Sequence, residues 1–225
     1  MVKMEFPKGG FVTEVSQIRT LARQINKDVC TAYKQANLAK ADWQGDQYDE
    51  MVKIFQTYKS KIDSMLELVV TNIPTSLETI SNIGIATYQS KYGSQVSPDT
   101  AAVETPTALE TLTESGRGGS WLSGDYADLS IVRPYITEVN TSIESAKKAL
   151  KDINGKVQGL TSWTGPDATK YKEQLSTLAG DLDKNFTTMN ENFETLATEA
   201  VNKLKAQQDA GSKIAGGGSA GASNI

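Results

Sequence analysis

Four stretches of this chain repeat apolar residues at alternating spacings of three and four, the rhythm that lines side chains along one seam of an α-helix. The first runs Phe11, Val15, Ile18, Ala22, Ile25, Val29, Ala32, Ala36 without a slip. The second reads Tyr48, Met51, Phe55, Tyr58, Ile62, Met65, Val69, and continues loosely through Ile73, Leu77, Ile80 and Ile83. Pro74 interrupts it, and a proline inside a helix removes one donor and clashes with the preceding turn, so a kink or break is expected there. The third seam is Leu129, Val132, Ile136, Val139, Ile143, Ala146, Leu150, Ile153, Val157, Leu160, with Pro134 marking the helix start. The fourth is Ala168, Tyr171, Leu175, Leu178, Leu182, Phe186, Met189, Phe193, Leu196, Ala200, Leu204.

Each seam has apolar neighbours that widen it: Leu21 and Tyr33, Val52 and Leu66, Ile131 and Ala149. A stripe that wide is not covered by one partner helix. Each side chain buried contributes roughly 1.5–3 kcal/mol, so a lone hairpin would leave a costly apolar face in water. The pattern predicts an all-α fold in which two antiparallel helical hairpins pack face to face as an elongated four-helix bundle. The expected divisions are a first hairpin over 1–93, a linker over 94–127, a second hairpin over 128–209 and a disordered tail over 210–225.

The linker segment is rich in Ser, Thr, Gly and Pro, with Gly116, Gly118 and Gly119 clustered near its middle. A short helical turn is expected around 107–112. Trp121 stands out because a flexible linker has little use for an indole; docking back on the helices is expected, with exposure the alternative. The closing GGGSAGASNI has the composition of a disordered tail.

Charge narrows the partners. The net charge of −4 is spread evenly, 11 basic and 13 acidic side chains in residues 1–110 against 12 and 14 in the rest. Neither half has the basic excess of a nucleic-acid binder. No apolar run approaches the roughly 18 residues that cross a bilayer. No basic amphipathic helix suited to a membrane surface is present. The opening residues MVKMEFPKGGFVTEV lack a continuous apolar core, so no conventional secretory signal peptide is expected.

The chemical inventory is short. Histidine is absent, which removes imidazole acid–base chemistry, the Ser-His-Asp and Cys-His arrangements and His-based zinc sites. The single cysteine, Cys30, excludes an internal disulfide and any multi-cysteine metal site. It adjoins the seam residue Val29, which fits a partly buried small residue; an intermolecular disulfide is the alternative. The acidic residues are scattered along helical surfaces. Neither an enzyme nor a cofactor, metal or small-molecule site is expected.

Two tripeptides remain: Trp43-Gln44-Gly45 and Trp163-Thr164-Gly165, each placed where one seam ends and the next begins. Glycine takes positive φ without a Cβ clash and permits a tight reversal between helices. Asp46, and the pair Pro166 and Asp167, are residue types favoured at a helix start. The plainest role for Trp43 and Trp163 is to close the ends of a bundle, a position from which an indole can still expose its N–H edge.

Helix, Trp-x-Gly turn, helix in about 100 residues resembles the WXG family of small proteins exported by type VII (ESX) secretion systems, and here the resemblance occurs twice, over about 11–92 and 129–209. It implies a tandem, fused member: family hairpins pair antiparallel into four-helix bundles, and this chain looks like such a dimer with both protomers joined. The geometry permits it, since helices of about 30 residues span roughly 45 Å while the 94–127 segment, fully extended, reaches about 110 Å. The resemblance also implies a secreted or cell-surface protein, cytoplasmic before export, with Trp43, Gly45, Trp163 and Gly165 as recognition elements for the export ATPase.

The chain departs from the family in one respect. A Tyr-x-x-x-Asp/Glu export signal follows the second helix in many such systems, but none of the eight tyrosines here has an acidic residue four positions later. The alternative function is a chaperone or targeting partner that pairs its hairpins with a larger secreted toxin. Whether the halves pair within one chain or exchange between two copies is open to either arrangement.

Overall fold

The computed structural model describes residues 10–93, 97–98, 100–123 and 128–217. Among these residues the fold is all-α apart from one short pair of strands. In chain order it comprises α1 (Val12–Leu38), β1 (Trp43–Gly45), α2 (Asp46–Glu67), α3 (Ile73–Tyr92), β2 (Ser120–Leu122), α4 (Arg133–Gln158) and α5 (Pro166–Gly217).

The seams fold inward. All eight residues of the first seam are buried, as are those of the third seam from Val132 to Leu160. They join the seam residues of α2 and α5 in one continuous core to which both halves of the chain contribute. The broadest backbone contact is between α1 and α4, and both helices carry small residues on their buried faces, Ala22, Ala32 and Ala36 on one, Ala146 and Ala149 on the other. Side chains this short let helix axes approach closely.

Side-chain contacts at the helix ends fix the directions. Asp42, just past the end of α1, accepts from Tyr135 near the start of α4, while Phe11, before α1, packs on Trp163 beyond α4. α1 and α4 are therefore antiparallel. Along α5, Tyr171 Oη donates to the Ile73 carbonyl, Asn185 is buried beside Met65, and Phe193 packs on Phe55. α5 thus runs antiparallel to α2 and α3.

Between α2 and α3 the helix widens into a π turn, Leu68–Asn72, in which the Ile73 N–H donates to the Leu68 carbonyl five residues back. Pro74 follows at once, in the first turn of α3, where a missing N–H costs least. The seam holds at Ile73 and Leu77, and the two steps of three that follow fall short of the helical period. Ser81, Gly84 and Ile85 face inward and Ile83, read as a seam residue from the sequence, is 54% exposed.

Two further expectations are corrected. Residues 107–112 form no helical turn; they belong to a strap, residues 100–123, that lies along α1 and α2. Several of its backbone groups are met by side chains of the first hairpin: Arg19 donates to the Ala102 carbonyl, Thr71 to that of Glu104, Gln56 to that of Leu112, and the Thr107 N–H donates to Asn26. With those partners supplied from outside, the segment has no need of its own helical hydrogen bonds. The tail expected to be disordered from 210 onward instead continues α5 to Gly217, and 218–225 lie outside the described residues.

Candidate functional sites at the two tryptophan turns

The first turn begins with a short 3₁₀ turn, Ala39–Ala41, after which Trp43, Gln44 and Gly45 extend. They pair antiparallel with β2, Trp43 opposite Leu122, Gln44 opposite Trp121 and Gly45 opposite Ser120. Trp43 is fully buried; its ring meets Tyr48 edge-on at 5.5 Å and Phe193 of α5 at 5.8 Å. Gly45 has φ 102° and ψ −167°, a conformation reserved for glycine.

The strap covers this turn. Gly45 N–H donates to Ser115 Oγ at 3.0 Å and Asp46 N–H to the Gly119 carbonyl at 2.6 Å. A Cβ at position 45 would overlap that same carbonyl. The Ser115 N–H reaches Asp49 Oδ1 at 2.5 Å, and Ser120 Oγ donates to Gln47 at 2.6 Å. Trp121 does return to the helices: it is half-buried, with the Arg117 guanidinium 4.9 Å above its ring.

Asp42 ties the turn to the other half of the chain. Its carboxylate accepts from Ser123 Oγ and from Tyr135 Oη, each at 2.6 Å, and its carbonyl accepts from the Ser123 N–H at 2.8 Å. The hydrogen bond from Ser123, then that from Tyr135, holds the carboxyl below its ordinary value. The same contact to Asp42, with burial, pushes the Tyr135 phenol up.

The second turn has the same core and a different surface. Trp163 is also buried, against Phe11 at 6.0 Å and Tyr171 at 5.4 Å. Phe11 is tied to α3, its N–H donating to the buried Ser81 Oγ at 2.7 Å. Gly165 has φ 117°. Its carbonyl accepts from the Thr169 N–H at 3.0 Å, and Lys172 Nζ donates to the Leu160 carbonyl at 2.9 Å. Thr164, Pro166 and Asp167 are exposed, and no strap crosses them among the described residues.

The two tryptophans lie at opposite ends of the core. Trp163 immediately precedes α5, whereas Trp43 packs on Phe193; the stretch of α5 from Pro166 to Phe193 spans roughly 40 Å. Neither indole presents its N–H edge to solvent, an exposure that its place at a bundle end would have allowed. Both Nε1 atoms are buried without an acceptor among the described residues. The structure therefore brings Trp43 together with Gly45, and Trp163 with Gly165, and keeps the pairs far apart.

Sequence reasoning missed the strap. Beyond the contacts already given, Arg23 holds Glu104 in a bidentate pair, and that hydrogen bond keeps the Glu104 carboxyl below its usual range. Asn37 donates to Glu110 and Lys40 to Thr113 and the Glu114 carbonyl. Leu109 and Leu112 are buried in the core. Cys30 sits half-buried under the strap, Sγ 3.7 Å from the Thr107 carbonyl, and burial, then the nearby Asp63 and Glu110, pushes its thiol up. A further anchor joins three segments: the buried Arg19 pairs with Glu78 of α3 while donating to the strap. The available signals were Leu109 and Leu112, two apolar residues three apart in a polar stretch, and Trp121.

Among the described residues no group of three His, Cys, Asp or Glu side chains is placed to hold a metal ion, and no helix is long and apolar enough to cross a membrane. No family model matches the chain, and neither a curated protein nor a solved structure matches it.

Proposed function

We propose that this chain is a non-enzymatic protein exported by a type VII (ESX-like) secretion system, built as the single-chain equivalent of a WXG dimer. In this reading residues of α1, α2 and α3 form one antiparallel hairpin, α4 and α5 the other, and the two pack as an elongated four-helix bundle. The observation that carries it is the repetition of one device. Two Trp-x-Gly turns, each with a buried indole and a positive-φ glycine, lie at opposite ends of a core that both halves share. The antiparallel pairing of α1 with α4, and of α5 with α2, supports the same reading, because each half covers the stripe the other would expose.

That mutual coverage weighs against the alternative role as a chaperone whose apolar faces await a larger toxin. A self-contained bundle needs no complement, so the expected mass in solution is that of one 24.3 kDa chain. The export ATPase is the expected partner.

The test is direct. The chain is produced in a Gram-positive host with a type VII system, with and without its ATPase. Appearance of the protein in the medium only when the ATPase is present supports the proposal. Equal release from both strains, or retention by both, would remove it.

A further inference from the structure

We propose that the strap masks the Trp43 turn in cis, so that the Trp163 turn is the one a partner protein engages. The identity of that partner rests on the export reading above; the mask itself rests on geometry. At the first turn the strap takes up the backbone. Strand β1 is paired along its length, the N–H groups of Gly45 and Asp46 donate to Ser115 and Gly119, and the Asp42 carbonyl accepts from Ser123. A partner cannot reach these groups while the strap is docked. The equivalent tripeptide at the other end has its Thr164 in solvent, flanked by exposed Pro166 and Asp167, and the hydrogen bonds from Trp163 to Leu160 and from Thr169 to Gly165 stay within the turn.

The strap is held in a way that allows release. Leu109, Leu112 and Leu122 are its buried apolar anchors, and hydrogen bonds and ion pairs hold the rest of it to α1, α2, the π turn and β1. Lifting it would uncover the first turn and Cys30 beneath Thr107 while leaving the seams between the helices paired. Two near-identical turns are thus made unequal by a segment that belongs to the chain.

Two measurements on the full chain decide the matter. The first follows thiol labelling of Cys30. The native protein is expected to react far more slowly than the urea-unfolded chain. Leu112→Ala, which weakens one anchor, is expected to raise the native rate by about tenfold or more. Reaction of native Cys30 at the unfolded rate would overturn the mask.

The second compares export of two surface variants that leave packing alone. Thr164 is exposed, and Gly118, on the strap over the first turn, is exposed with open space where a side chain would project. Thr164→Arg is expected to be retained in cells and Gly118→Arg to be exported like wild type, both with unchanged circular dichroism. The opposite result, retention of both, or export of both would overturn the inference. Failure of wild type to be exported would sink the export reading instead, and the labelling result would then decide the mask alone.

Discussion

Gly45→Ala is the sharpest perturbation available, because the structure assigns it two separable costs. The backbone at φ 102° and ψ −167° lies where alanine is strained by about 1–3 kcal/mol. In addition, the new Cβ would overlap the Gly119 carbonyl and lie 3.1 Å from Ser120 Cα. Relief requires β2 to move, which breaks the hydrogen bonds from Gly45 to Ser115 and from Asp46 to Gly119. At about 0.5–1.5 kcal/mol each, the two bonds and the strain together give a loss of about 2–6 kcal/mol. The overlap has a ceiling, since its cost does not exceed that of lifting 115–122 off the turn. Leu122 is the single buried apolar anchor in that stretch, which places the expectation in the lower half of the range. Gly93→Ala serves as the control: it has φ 68° and nothing within 4 Å of its Cβ position, so it carries a strain of about 1–2 kcal/mol and no overlap. Urea titrations followed by circular dichroism measure both. A Gly45→Ala loss no larger than that of Gly93→Ala would refute the close approach of strap and turn.

Four further outcomes follow from the same contacts. Trp43→Ala and Trp163→Ala are each expected to lose about 3–5 kcal/mol in denaturant titrations. The Phe replacements should lose markedly less, because they delete a buried donor that has no acceptor among the described residues; equal losses would contradict that account. Glu78→Ala leaves Arg19 buried and unpaired against the strap, and is expected to lower stability by about 3–5 kcal/mol by thermal or chemical unfolding. Asp42 has its carboxyl held low in the folded state, so its contribution is complete above the unfolded value near pH 4 and fades as pH falls through the lower folded value. Asp42→Asn should therefore flatten the acid limb of a Tm-against-pH curve below about pH 4. Residues 205–213 of α5 are all exposed, so truncation after Leu204 is expected to shift stability by no more than about 0.5 kcal/mol.

The helical core was legible because its signal is geometric. A residue every three or four positions lies on one seam whatever its neighbours do, and from Phe11 to Ala36 every such residue is buried. Where the geometry changes the signal fails. Beyond the π turn the seam still holds at Ile73 and Leu77, but the two successive steps of three that lead from Leu77 to Ile83 fall short of the 3.6-residue period, and the buried residue is Ile85, two positions on. The strap was illegible for a different reason. Its attachments join residues about 80 positions apart, Arg23 to Glu104 and Asn26 to Thr107, through side chains meeting an extended backbone that has no period. Composition misled at the end of α5, where Gly and Ala suggested disorder and the helix continues to Gly217. At the turns, the glycines were readable from the need for positive φ. The burial of both indole N–H groups was not, because it depends on Phe193 and Phe11 arriving from the opposite half.

That burial changes what a partner can recognise. A side chain at 0% or 2% exposure offers no surface, so any protein that engages these turns meets the residues the tryptophans hold in place rather than the indoles. At the second turn those are Thr164, Pro166 and Asp167; at the first they are strap residues such as Arg117 and Gly118. Truncating either tryptophan therefore confuses recognition with folding, since the same change opens a cavity where three or four aromatic rings meet. Substitutions at Thr164 leave that cluster intact. Should Trp163→Phe keep the fold and lose export while Thr164→Arg keeps both, the indole itself would be what is read, and the exposed surface of the turn would not.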